Sequence, residues 1–327
     1  MRMKPSLRNP ARLRLSALIT ATLAAARAAT TLAATTLAAT TLAAATLAAA
    51  GDSPAATAEP STPPAKIVIL GDSLSVTEGV GLGSRLDREL RSSGHHVTTV
   101  ASCGSSPNSY RDDKPVYTTK CSYLKRDSTG EDYLPWEKIR KTAGKPTPKL
   151  QAIFHGETPD LAIVQQGTNL YRLILGNSLE KGTEAVAQQV FEFLKSDSFR
   201  AKACLWVGPP QISKYYGERG GMVRVRQEQM QAMNNGIRRG LERAAQGLSA
   251  GTPGKRCRFM DSLPVTEPPL GDGIHHGHAT QTDKWLAEAK KESLALLRGS
   301  PLPDLSILQG SPKALDPSHC TIDGNQK

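Results

Sequence analysis

The sequence is poor in aromatic residues: five Phe, seven Tyr and three Trp make up 5% of its 327 residues. A folded core therefore has to be built mainly from aliphatic side chains. Acidic residues are absent from positions 1–50, which carry six Arg or Lys. That local absence explains about half of the formal net charge of +11, because the rest of the chain holds 35 basic residues against 30 acidic ones. A surplus this small over such a length is an ordinary solvated surface, which argues against a nucleic-acid partner. The cysteines lack the close pairing of a zinc site, and neither a metal nor a cofactor is expected.

What the N-terminus does contain is a basic start followed by an apolar stretch, Leu15 to Ala26. This is the pattern of a secretory signal. From Ala28 to Ala50 the chain repeats Thr-Thr-Leu-Ala-Ala with no heptad or solenoid period, so no fold is assigned to it. Small residues at Ala26-Arg27-Ala28 and at Ala48-Ala49-Ala50 suit cleavage. Residues 1–50 thus read as an export segment, giving a secreted or periplasmic protein that leaves the membrane after cleavage. An uncleaved segment would be about long enough to anchor the chain in a bilayer, which is the alternative. Residues 51–65, with four prolines, read as a linker, 66–299 as one domain, and 300–327 as a Pro-rich tail. Export places the five cysteines in an oxidising setting. Cys103 and Cys121 lie close in sequence, while Cys204 and Cys257 each open an apolar run, so these two pairs are candidate disulfides and Cys320 is left over. All five reduced is the alternative.

Within the domain, short apolar runs alternate with amphipathic stretches. The runs are Lys66–Leu70, Val97–Ala101, Leu161–Gln165, Ala203–Val207 and Arg258–Asp261. Helical spacing joins Leu82, Leu86 and Leu90; Val186, Val190 and Phe193; Met230, Met233, Ile237 and Leu241; and Trp285, Ala289 and Leu297. The alternation predicts a three-layer, flavodoxin-like α/β/α domain with a central five-stranded parallel sheet. The polar segment from about 105 to 150 breaks the rhythm and is expected as an insertion over one rim.

In such a sheet, functional groups gather at the carboxyl ends of the strands. The first run leads into Gly71-Asp72-Ser73-Leu74, the second into Cys103-Gly104-Ser105, and the third into Gly167-Thr168-Asn169. The fifth leads by a loop into Gly271-Asp272-Gly273-Ile274-His275. A hydroxyl, a flexible amide, a carboxamide and a carboxylate–imidazole pair on one rim are the parts of an acyl-transfer site. These four blocks, in this order over residues 66 to about 298, resemble the signature of the SGNH (GDSL) hydrolases. The resemblance implies Ser73 as nucleophile, His275 as base and Asp272 as the residue orienting it. It also implies an oxyanion hole from the Ser73 and Gly104 amides and the Asn169 side chain. Two positions depart from the pattern: Leu170 stands where Asp often follows the third-block Asn, and Ser102-Cys103 precede Gly104.

The expected function is that of an exported serine esterase acting on a small-molecule or carbohydrate ester. The polar residues 105–110 and His275-His276-Gly277-His278 suggest short acyl groups, acetyl first, on a hydrophilic alcohol. An acyltransferase with the same triad, a lipase or thioesterase, and a non-catalytic polysaccharide-binding domain are the alternatives; the sequence does not fix an oligomeric state. Asp72 is expected to order its turn, and His95, His96, His276 and His278 to lie on the surface. Arg238 and Arg239 read as a solvated face, and Tyr133 with Trp136 as a local apolar cluster.

Overall fold

The computed structural model describes residues 63–77, 79–127, 143–217 and 221–300. Residues 1–50, expected as an export segment, most of the expected linker, Tyr133, Trp136, Cys320 and the Pro-rich tail beyond Ser300 lie outside the described residues. In chain order the elements are β1 (Lys66–Gly71), α1 (Ser73–Val76), α2 (Leu82–Ser92), β2 (His96–Ser102), α3 (Pro107–Tyr110), β3 (Tyr123–Arg126), α4 (Leu150–Phe154) and β4 (Leu161–Gln165). There follow α5 (Tyr171–Leu175), α6 (Leu179–Leu194), β5 (Ala203–Val207), β6 (Lys214–Tyr216), β7 (Met222–Arg224), α7 (Gln227–Gly247), β8 (Cys257–Met260) and α8 (Asp283–Leu297).

The main sheet has the order β3-β2-β1-β4-β5-β8. Its five inner and far-edge strands are parallel and coincide with the five apolar runs. Successive residues alternate between two cores. Ile67 and Ile69 face α2 and α8 together with Leu82, Leu86, Leu90 and Trp285. Val68 and Leu70 face the other layer, with Val186, Val190, Met233 and Ile237 of α6 and α7. Burial on both faces is why these strands read as continuous apolar runs. Each fully buried Leu of α2 contributes roughly 1.5–3 kcal/mol, which fixes that helix on the sheet.

The sixth strand is a finding. β3 runs antiparallel to β2, pairing Ser102 with Tyr123 and Thr99 with Arg126. The segment expected as a rim insertion therefore extends the sheet. Only Leu124 of its four residues is buried, so no period-two signal was there to read. Its attachment is long-range and polar. Arg126 and Arg91 both pair with the buried Asp87 carboxylate of α2, to which Thr99 also donates. Cys121, just before β3, is bridged to Cys103 at the end of β2. A second bridge joins Cys204 to Cys257, directly opposite each other on β5 and β8.

His95 and Arg238 depart from the surface positions expected of them. His95 is buried, because its Nδ1 accepts the Ala65 amide at 3.2 Å and closes the sheet's amino end. Arg238 is half-buried, pairing with Asp261 at 2.6 Å and lying over the Phe259 ring, whereas Arg239 does sit on an exposed face with Glu180. No helix among the described residues is long and apolar enough to cross a membrane.

Candidate active site

The chain's strand order reverses between β1 and β4, and in open parallel sheets the crevice at that reversal is where ligands bind. β1 ends at Gly71, and Ser73 opens α1 directly beyond it. Asp72 caps this short helix, its Oδ1 accepting the Leu74 amide at 3.0 Å. The turn-ordering role expected for Asp72 is thus present, but the side chain is also fully buried and its Oδ2 has no partner among the described residues. Burial pushes this carboxyl up from 3.8 to about 6, only partly offset by the Leu74 amide. The folded chain therefore holds the proton more tightly than the unfolded chain, and the stability gained from it is lost as pH rises through about 6. Asp72→Asn is expected to stabilise the fold by on the order of 3 kcal/mol at pH 8 and negligibly near pH 4. Urea unfolding at the two pH values checks this; an equal gain at both would remove the buried carboxylate as its cause.

The loop after β8 brings in the imidazole. His275 Nε2 lies 3.2 Å from Ser73 Oγ, 202 residues away in sequence. Its Nδ1 lies 2.7 Å from Asp272 Oδ2. Asp272 Oδ1 accepts the amides of Ile274 and His275, each at 2.8 Å, so the carboxylate is clamped in its own turn. Burial raises the Asp272 pKa, but those amides together with the His275 ring outweigh it and hold it below the usual carboxylate range. An ionised Asp272 accepts a hydrogen bond from Nδ1–H, which keeps the proton on Nδ1 and leaves the Nε2 lone pair facing the hydroxyl. The turn needs Gly273, whose φ is +80° and whose missing Cβ leaves room for Ser213 Oγ. The Gly273 carbonyl accepts the Ser213 amide at 2.9 Å, which pins the histidine loop to the segment entering β6.

Around Ser73 stand the other expected groups. Gly104 has φ +79°, and a side chain there would strike the Tyr117 hydroxyl, which itself donates to the Cys103 carbonyl at 3.1 Å. Neither the Ser73 nor the Gly104 amide donates to another group among the described residues. Asn169 lies in the 3₁₀ turn Thr168–Leu170 after β4. Its Nδ2 donates to the Ser105 carbonyl at 2.8 Å, leaving a second N–H. Its Oδ1 accepts the Tyr215 hydroxyl at 3.2 Å, which fixes the amide's orientation. Tyr117 and Tyr215 were not singled out in the sequence, because neither belongs to a local motif. Tyr215→Phe is expected to lower kcat about tenfold for a short ester with KM nearly unchanged, since it frees the Asn169 amide to turn. A change confined to KM would show that the hydroxyl does not act through Asn169.

Some expected rim residues point elsewhere. Ser105, Ser106, Ser109 and Tyr110 are buried. Tyr110 donates to the Gly71 carbonyl at 2.7 Å, and Ser109 closes the N-terminus of α3 on Ser106. Hydroxyls of Ser105, Ser109 and Tyr110 bond backbone groups of β1 and α3. His276 is likewise buried, its Nε2 3.3 Å from the Glu267 carbonyl and its ring 6.2 Å from that of Trp285. The crevice touching Ser73, His275 and His276 has room for only about 10 Å³, roughly one water.

No family model matches the chain, and no curated protein matches it. Its fold is similar to that of solved structures at low identity. A carbohydrate acetylesterase family member from Sinorhizobium meliloti aligns at 17% identity and TM-score 0.42, over 72% of this chain and 99% of the other. An aryl esterase from M. smegmatis aligns at 16% and 0.39, over 70% and 98%. An extracellular lipase from Streptomyces rimosus aligns at 14% and 0.38, over 70% and 99%.

Proposed function

We propose that this protein is an exported serine esterase of the SGNH type that removes short acyl groups from a hydrophilic alcohol such as a carbohydrate. The observation that carries the reading is the line from Asp272 through His275 to Ser73, set beside two undonated amides and a fixed carboxamide. Ser73 Oγ attacks the ester carbonyl as its proton passes to His275 Nε2. The carbonyl oxygen becomes an oxyanion held by the Ser73 and Gly104 amides and the free Asn169 N–H. Collapse breaks the bond to the alcohol oxygen, which takes the proton from His275. Water then attacks the acyl-enzyme by the same route, giving the carboxylic acid and restoring Ser73.

The two disulfides support export, because such bonds persist in oxidising compartments, and the basic-then-apolar N-terminus agrees. Residues 105–150 contain no apolar run long enough to floor an acyl groove, and a long chain needs many buried methylenes at about 0.8 kcal/mol each, which favours a short acyl group. The test combines labelling with a substrate series. A fluorophosphonate should modify Ser73 alone, and kcat/KM should fall from acetyl to butyryl to octanoyl esters of one leaving group. Absence of labelling would remove the esterase reading, and a preference for octanoyl would redirect it to a lipase or thioesterase.

A further inference from the structure

A groove of about 690 Å³ is lined by Arg172, three residues beyond Asn169, and by Tyr216, Met222, Arg224 and Arg226 among others. We propose that this groove binds a carboxylate carried by the ester substrate, which makes the preferred substrate an acidic ester; the inference rests on the esterase reading of the neighbouring site.

Charge is the first argument. Arg172 and Arg224 are exposed, and among the described residues neither has a carboxylate partner. Arginines of the adjacent helix α7 behave differently: Arg238, Arg239 and Arg243 each hold an Asp or Glu at 2.6–2.7 Å. Arg226 is paired with Glu228 at 2.8 Å, so among the described residues the groove's unpaired charge comes from Arg172 and Arg224. A guanidinium presents a planar fork suited to a carboxylate, and two of them line this groove.

Position is the second argument. Arg172 follows Asn169 by three residues, on α5, which continues the 3₁₀ turn bearing Asn169. Its charge is felt at the hydroxyls of Tyr117 and Tyr215, the one beside Gly104 and the other on Asn169. Tyr216 continues the chain from Tyr215, with the two rings 5.9 Å apart; it is about half exposed and lines the groove. Two of the groove's residues, Arg172 and Tyr216, thus belong to the segments that carry Asn169 and Tyr215. The groove offers one aromatic face for a sugar ring or a short chain and two cations for its acid group.

The carboxylate could sit on the alcohol or on the acyl group, and the experiment separates these. One arm compares acetylated glucuronic acid with acetylated glucose. The other compares the 4-nitrophenyl half-ester of succinic acid with 4-nitrophenyl butyrate. Wild-type protein should prefer the acidic ester by tenfold or more in kcat/KM in at least one arm. Arg172→Ala and Arg224→Ala should each reduce that preference about tenfold, and Arg172→Lys should recover part of it. Hydrolysis of the neutral esters with no acidic preference in either arm would overturn the groove while leaving the esterase reading intact. If no ester is hydrolysed, the esterase reading fails on its own, and calorimetry of glucuronate and succinate decides the groove. Binding that disappears in both alanine variants supports it, and absence of binding to the wild type removes it.

Discussion

Ser73→Ala is expected to lower kcat/KM for an acetyl ester by at least about 10⁴-fold, and His275→Ala by a comparable factor. The two act as one unit: a hydroxyl without a base 3.2 Å away stays protonated at neutral pH, and a base without the hydroxyl has nothing to activate. Removing both should therefore cost hardly more than removing either. Ser73 and His275 are only half-buried and pack little core, so thermal unfolding should move by no more than about 0.5 kcal/mol equivalent. His276→Ala supplies the contrast. That ring is buried against Trp285, and its Nε2 faces the Glu267 carbonyl, not Ser73 Oγ, so its loss should lower the melting temperature and spare most of the turnover. Equal loss of turnover from the two histidine variants would show that the base has been misassigned.

Asp272→Asn should lower kcat by about 10³-fold with KM nearly unchanged. An asparagine can still accept the Ile274 and His275 amides through its oxygen, so the turn should survive. Its NH₂ would then face His275 Nδ1, where the carboxylate Oδ2 now stands at 2.7 Å. Two donors cannot share that bond, so the imidazole would shift its proton to Nε2 and present a donor to Ser73 in place of a lone pair. The expected loss is set below that of Ser73→Ala because Asp272 is about half exposed and water can take over part of its role. A pre-steady-state burst with slow turnover, or a large rise in KM, would contradict a defect in proton transfer. Both variants are best measured with a small aryl ester, which needs no groove to bind.

Local patterning was sufficient for much of this. Each of the five parallel strands is an apolar run because it is buried on both faces, and each candidate site residue follows such a run within a short Gly-containing motif. The resemblance of those motifs to the SGNH hydrolases singles out Ser73, Gly104, Asn169, Asp272 and His275 as candidates, and the structure joins both cysteine pairs expected from sequence. What local patterning could not carry was anything created by contacts between distant segments. β3 has four mostly polar residues and exists because Arg126 reaches Asp87 on α2 and because Cys121 is tied to Cys103. Ser105 to Tyr110 look like a wet rim in sequence, yet they turn inward to satisfy backbone groups of β1 and α3. His95 and His276 owe their burial to the Ala65 amide and to Trp285. Tyr215 became part of the site only when the loop after β5 was folded over Asn169, 46 residues earlier. Motifs specify which groups are available at a strand end, because they depend on a few adjacent residues. Orientation, burial and the pairing of charges are decided by packing across the whole domain, and only the tertiary structure contains that.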